Sequence, residues 1–166
     1  MPDNDLVSPL EDATLVLRPT PEIVVGVDDD AASDGVLRWA ARQSQLTGLV
    51  LRVVHVWKMS ALVAAATSGA HNYRAAAAGD ARARLTQRVG NTLGGSIDVR
   101  WTLEVIEGSP GPALVVRSAG AQLLVLGTGA TTGLRRAALG SVSHYCLSHA
   151  VPPIVAVQTA SGVAPG

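Results

Sequence analysis

The sequence predicts an α/β domain: an open three-layer sandwich with a five-stranded parallel sheet between two layers of helices. Three observations carry that expectation. Short apolar runs alternate with amphipathic stretches at helical spacing, and β-α alternation of this kind joins parallel strands through crossover helices. Several of the runs are continuous in Val, Ile and Leu, as in strands buried on both faces. The chain also has material for a core, since 48% of its 166 residues are hydrophobic and 16% charged. With 3% aromatic residues and no Phe, that core must be built from Val, Leu, Ile and Ala.

Residues 1–21 carry Pro2, Pro9, Pro19 and Pro21 among scattered acids and read as a flexible leader, with at most a short ordered piece around Leu15–Leu17. Residues 159–166 read as a disordered tail, which leaves 22–158 as the domain. Ile23-Val24-Val25-Gly26-Val27-Asp28 is an apolar run closed by an acid, the first strand. Ala32, Val36, Trp39 and Ala40 recur at helical spacing up to Leu46-Thr47-Gly48, an amphipathic helix with a glycine stop. Leu49–Trp57 is rich in β-branched residues and is the second strand. Lys58–Asn72 is small, apolar and weakly patterned, an insert or an early helical turn. From Tyr73 onward Ala77, Ala81, Leu85, Val89 and Leu93 form a stripe, with Arg74, Arg82, Arg84 and Arg88 off it; this helix closes at Gly94-Gly95. Ile97–Val105 alternates apolar and polar residues, so one face sees water and this third strand belongs at the sheet edge. Ser109-Pro110 supplies an N-cap and a first-turn proline for a short helix to about Ala119. Gln122–Gly127 is the fourth strand, Ser141 opens a last helix to about Ala150, and Pro153–Val157 is the fifth strand.

Thirteen basic residues balance thirteen acidic ones. That balance argues against a general nucleic-acid binder and against a polybasic membrane anchor, and there are too few aromatic platforms to stack single strands. No uncharged apolar run reaches the roughly 18 residues a spanning helix needs. The start Met1-Pro2-Asp3-Asn4-Asp5 is acidic where a signal peptide is basic, and the single Cys146 has no internal disulfide partner. A cytoplasmic setting is therefore expected.

The loop between the fourth strand and the last helix, Gly127-Thr128-Gly129-Ala130-Thr131-Thr132-Gly133 and on through Arg135-Arg136 to Gly140-Ser141, is the most informative segment. Glycines let backbone amides approach an anion, and a helix N-terminus adds free N–H groups and a positive dipole. Ser141 and Ser143 would add hydroxyl donors. The same features suit a Gly-rich surface connection capped by Ser141. Other phosphate motifs do not fit: there is no G-x-x-x-x-G-K-[ST], and Gly127-x-Gly129 does not continue as G-x-G-x-x-G because position 132 is Thr. In open parallel sheets ligands sit beyond the carboxyl ends of the strands, where the order reverses. The turn after Asp28 and the loop after Gly127 are the segments expected to meet there.

Across nearly all of 22–158 the chain resembles the universal stress protein family. The resemblance rests on Val24-Val25-Gly26-Val27-Asp28 with Leu37-Arg38-Trp39-Ala40, on Val54-His55-Val56, and on Leu124-Val125-Leu126-Gly127 with Leu139-Gly140-Ser141-Val142-Ser143 and Pro153-Ile154-Val155-Ala156-Val157. It implies an adenine-nucleotide alpha-hydrolase-like fold with strand order 3-2-1-4-5, and a homodimer through strand five, Ile154, Val155, Ala156 and Val157. One branch of the family binds ATP through the pattern G-x2-G-x9-G-[ST]; the other lacks the pattern and does not. For a binder the resemblance implies a nucleotide site of Gly26, Val27, Asp28, Val56, Leu126, Gly127, Gly129, position 130, Gly140, Ser141, Val142 and Ser143. Asp28 and the Val56 backbone would face the nucleoside, Gly127 the ribose, and position 130 with Gly140, Ser141 and Ser143 the phosphates.

Two departures stand out. Ala130 replaces the second loop glycine, and a left-handed backbone there would cost alanine roughly 1–2 kcal/mol. Asp28-Asp29-Asp30 places two further carboxylates near the expected phosphates; each like-charge pair at about 4 Å costs roughly 1–4 kcal/mol, a sign that a Mg²⁺ ion would reverse. Asp28 has capping of the next helix as its other role, and Asp29 and Asp30 read more readily as helix N-terminal charges than as metal ligands. His55 reads as a satisfied strand-end histidine. His144 and His149 lack the i, i+4 spacing of paired metal ligands, and Cys146 reads as buried and inert. The favoured reading is a stress-response module binding ATP or a related adenine nucleotide. The alternative is a non-nucleotide-binding dimeric interaction protein of the same fold. A hydrolase of the wider class would need further catalytic motifs, and no catalytic residue is assigned.

Overall fold

The structure, a computed structural model, describes residues 20–59, 70–94, 98–128 and 140–158. Strands β1 (Thr20–Gly26), β2 (Val50–Trp57), β3 (Trp101–Glu107), β4 (Ala121–Gly127) and β5 (Ile154–Val157) alternate with helices α1 (Ser33–Thr47), α2 (Ala70–Leu93), α3 (Pro110–Ser118) and α4 (Ser141–His149). The five strands form one parallel sheet in the order β3-β2-β1-β4-β5. Fold class, strand order and the edge position of β3 are those expected.

Alternation along the central strands divides the core in two. Ile23, Val25, Val27, Leu51, Val53 and Val125 pack with α1 and α2 on one face. Val24, Val54, Val56, Leu124 and Leu126 pack with α3 and α4 on the other. The α2 stripe inserts Ala81, Leu85, Val89 and Leu93, all buried, while Arg82 and Arg84 stay exposed. Helix α1 ends at Gly48, whose φ of 71° is the left-handed turn that glycine adopts without strain. Pro110 occupies the first turn of α3 with Ser109 at the N-cap, as its sequence suggests.

Strand ends are set by partners rather than by local pattern. Of the alternation from Ile97, which lies outside the described residues, the described part from Asp98 starts β3 too early: pairing begins at Trp101 opposite Leu51 and runs to Glu107 opposite Trp57. Asp98 and Val99 would lie opposite Gly48 and Leu49, before β2 starts at Val50, and Arg100 joins the ladder only by accepting Leu51 N–H at 2.9 Å. Likewise β1 starts at Thr20, opposite Ala121, and stops at Gly26 rather than Asp28. Helix α2 starts at Ala70, ahead of the Tyr73 expected from its pattern.

Away from the carboxyl ends of the strands, an ion-pair row crosses the sheet. Arg52 reaches the buried Glu22 at 2.9 Å and Glu104 at 3.9 Å, and Arg117 reaches Glu104 at 3.2 Å. A buried carboxylate deprived of its cation is costly. Arg52→Met should therefore lower the unfolding free energy by about 1–3 kcal/mol, and adding Glu22→Gln should recover part of the loss. Urea denaturation of the single and double variants checks both.

Candidate functional site

The site exists because β1 leaves the sheet before its neighbours do. Gly26 opposite Val54 is the last registered pair of β1 and β2, yet β2 runs on to Trp57 beside β3. Peptide groups of successive strand residues face opposite neighbours. Leu51 N–H bonds Arg100 O and Gly108 N–H bonds Trp57 O, so odd residues of β2 face β3. Val27 N–H bonds Val54 O at 3.0 Å, so even residues face β1. The N–H and C=O of Val56 thus point into the gap that β1 vacates. On the other side of the gap, β4 continues to Gly127.

The gap is a cleft of about 280 Å³, lined on the β1 side by Gly26, Val27 and Asp28, on β2 by Val56, and on β4 by Leu126 and Gly127. Helix α4 and its cap contribute Gly140, Ser141, Val142 and Ser143. The structure therefore brings these sequence-selected positions together. Gly129 and Ala130 lie outside the described residues. Val54, Pro110, Leu114, the α1 cap Ala32 and the α1 residues Ser33 and Val36 also line the cleft and were missed. A signal for Pro110 and Leu114 was present: the crossover from edge strand β3 to β4 must carry the start of α3 over the point where the strand order reverses.

The two ends of the glycine loop are clasped. Gly140 N–H bonds Thr128 O at 3.0 Å, and Thr128 N–H bonds Val157 O at 3.0 Å. Gly140 is the N-cap of α4, with no side-chain cap, and the first helical bond runs from His144 N–H to Gly140 O. Among the described residues, the amides of Ser141, Val142 and Ser143 have no hydrogen-bond acceptor, the arrangement that makes a helix N-terminus receptive to anions. One expectation needs correction. The Ser143 hydroxyl is not a free donor: it is buried and gives its proton to Gly127 O at 2.8 Å, tying α4 to β4. Ser141 is exposed at the mouth.

The three consecutive acids separate. Asp29 turns away from the cleft to α2, where Arg84 lies at 3.1 Å and Arg88 at 3.6 Å. Arg88 also holds Asp34 at 2.9 Å, and that bond raises the pKa of the guanidinium. Asp30 takes the capping role considered for Asp28, accepting Ser33 N–H and Ser33 Oγ–H, each at 3.0 Å. The Ser33 hydroxyl in turn accepts Asp28 N–H at 2.9 Å. The Asp28 carboxylate is exposed and, among the described residues, unpartnered. Asp28 and Asp30, not all three acids, therefore border the cleft. No group of three or more metal-ligating side chains occurs among the described residues.

His55 is buried, and its Nδ1–H donates to Val27 O at 2.9 Å, since a carbonyl can only accept. Cys146 is buried beneath α3, and burial pushes its thiol pKa up, so it stays protonated and unreactive. His149 stacks on Tyr145 with ring centroids 4.1 Å apart and accepts no role in the cleft.

Two cleft glycines differ in what they permit. A Cβ on Gly26 would sit 2.9 Å from Leu126 Cδ2 and 3.1 Å from both Leu114 methyl carbons, so this glycine serves packing. Among the described residues, a Cβ on Gly140 would meet only Thr128 O, at an ordinary 3.6 Å, and its φ of −59° is open to any residue. Neither backbone nor packing requires glycine there. What the missing side chain keeps open is the cleft.

The sequence profile of the Universal stress protein family matches residues 20–158. A universal stress protein of Mycolicibacterium smegmatis is 30% identical over 141 residues, 82% of this chain and 47% of the relative, so the chain spans about half that relative's length. Among solved structures, a universal stress protein in complex with cAMP has a TM-score of 0.64 at 17% identity, covering 86% of this chain and 99% of its own. One from Archaeoglobus fulgidus in complex with dAMP has a TM-score of 0.55 at 21% identity, covering 81% and 95%. UspA from Lactobacillus plantarum has a TM-score of 0.61 at 24% identity, covering 84% and 98%. The solved structures share the fold, and the profile match with the mycobacterial relative shows that the chain belongs to the universal stress protein family.

Proposed function

We propose that the cleft binds an adenine nucleotide, ATP foremost, and that the domain is a cytoplasmic stress-response regulatory module. Gly140 carries this reading: it is a glycine that neither its own backbone nor the packing of the described residues needs, at the N-cap of an uncapped helix, lining a cleft. The base would meet the outward peptide group of Val56, whose adjacent donor and acceptor match the adjacent acceptor and donor on the adenine edge. The ribose would lie between Asp28 and Gly127. The phosphates would take the amides of Ser141, Val142 and Ser143, with Ser141 Oγ as a further donor. Mg²⁺ would enter on the phosphates, with Asp28 and Asp30 bordering it, since such ions keep most of their ligands from phosphate and water. The described residues fit the nucleotide and its ion: Asp29, whose charge would add to the repulsion of the phosphates, is paired with Arg84 and Arg88 on α2, while Asp28 and Asp30 stay at the cleft, where they would attract the cation. The complexes of relatives with cAMP and dAMP support an adenine nucleotide.

The test is to purify the protein without added nucleotide, denature it and identify any released molecule by mass, then titrate stripped protein with ATP and Mg²⁺. Near one nucleotide per chain is expected. No binding at millimolar ATP would transfer the function to the dimer surface.

We further propose a homodimer through β5. This strand is an edge, four residues long, with Ala156 exposed and Ile154, Val155 and Val157 half-buried, and an apolar edge of this kind gains from cover. Ala156→Lys should shift sedimentation from dimer to monomer while leaving the circular dichroism spectrum intact.

A further inference from the structure

We propose that His55 is a positioning residue that keeps the Val56 peptide group open for the nucleotide base; this rests on the nucleotide reading above. In a parallel ladder, the rung after Gly26–Val54 would pair Asp28 with Val56, through Val56 N–H to Val27 O and Asp29 N–H to Val56 O. That rung is absent: pairing stops at Gly26–Val54, whose last bond is Val27 N–H to Val54 O at 3.0 Å. The acceptor that Val56 N–H would need already takes another donor, and no bond joins Val56 N–H to it. Val27 O takes the His55 Nδ1–H at 2.9 Å, a buried bond from the neighbouring residue of the same strand. The other end of that same peptide, Asp28 N–H, is held by Ser33 Oγ at 2.9 Å.

The geometry makes the imidazole a plug in the ladder. His55 points to the α1–α2 face with Val27, whereas Val56 belongs to the opposite face with Leu114 and Leu126. The ring is not among the residues lining the cleft. It acts from behind the sheet, holding β1 away from β2 one residue beyond their last pair. Without a side-chain donor at this position, Val27 O and Val56 N–H would be two unsatisfied groups facing one another, and buried groups of that kind pair. Closing that bond would fill the recess with backbone and remove the donor that the base requires.

The test compares His55→Leu, which removes the donor, with His55→Asn, whose side-chain amide places a donor near the original Nδ1. In labelled protein, His55→Leu should show a through-hydrogen-bond coupling between Val56 ¹⁵N and Val27 carbonyl ¹³C that is absent from the wild type and from His55→Asn. Affinity for ATP should fall about tenfold or more in His55→Leu, the scale of one lost hydrogen-bonding partnership, and return in His55→Asn. Affinity for inorganic tripolyphosphate, which has no base, should be unchanged. A folded His55→Leu variant with no coupling, or with ATP and tripolyphosphate weakened equally, would overturn the proposal. If the wild type binds no ATP, the nucleotide reading fails, and the coupling alone decides whether His55 holds the ladder open.

Discussion

Gly140→Trp is expected to abolish ATP binding, lowering affinity at least about a hundredfold, while leaving the thermal midpoint within about 2 °C of the wild type. The reasoning separates the two readouts. The backbone at Gly140 is extended with φ −59°, and among the described residues a Cβ there touches only Thr128 O at 3.6 Å, so the described fold accepts a side chain. An indole at the N-cap of α4 would project over the amides of Ser141–Ser143 and fill the space the phosphates need. Isothermal titration and a melting curve on the same preparation check the result. Unchanged affinity would place any nucleotide elsewhere; a large loss of stability would make Gly140 a packing residue after all.

Gly26→Val should give the opposite pattern, with a loss of about 1–3 kcal/mol in unfolding free energy, the usual cost of overpacking. In a chain of this length that corresponds to a melting point lower by roughly 3–10 °C. The valine Cβ would begin 2.9 Å from Leu126 Cδ2 and 3.1 Å from the Leu114 methyls, inside the α3–α4 core. Both leucines would have to leave their rotamers in a strand and a helix that cannot recede. Adding Leu114→Ala should restore part of the stability by returning the volume. Calorimetry on the single and double variants decides, and an unperturbed Gly26→Val melt would mean that the packing between Leu114 and Leu126 is looser than these contacts imply.

The sequence was legible where a residue's role depends on near neighbours. The α2 stripe from Ala81 to Leu93 and the Gly48 stop are local facts about one helix turn. The cleft was legible too, because alternating strands and helices fix where ligands can sit, and glycines with Ser141 mark one wall. Roles set by distant partners were not. Asp29 looks like its two acidic neighbours until Arg84 and Arg88, more than fifty residues later in the chain, claim it. Ser143 reads as a donor until Gly127 O takes its proton. The start of β3 is set by its register on β2, with Trp101 opposite Leu51, which no alternation in β3 can encode. Val56 was singled out by family resemblance, but the reason its peptide faces the cleft is that β1 departs at Gly26, which emerges only from the register of three strands.

The most direct test of the account follows backbone amides by ¹H–¹⁵N correlation spectra as ATP and Mg²⁺ are added to stripped protein. The account predicts saturable shifts concentrated at Val56, Gly127, Gly140, Ser141, Val142 and Ser143, with the exposed face of α2 unmoved. Spectra unchanged at millimolar ATP, or shifts confined to residues outside the cleft, would contradict it.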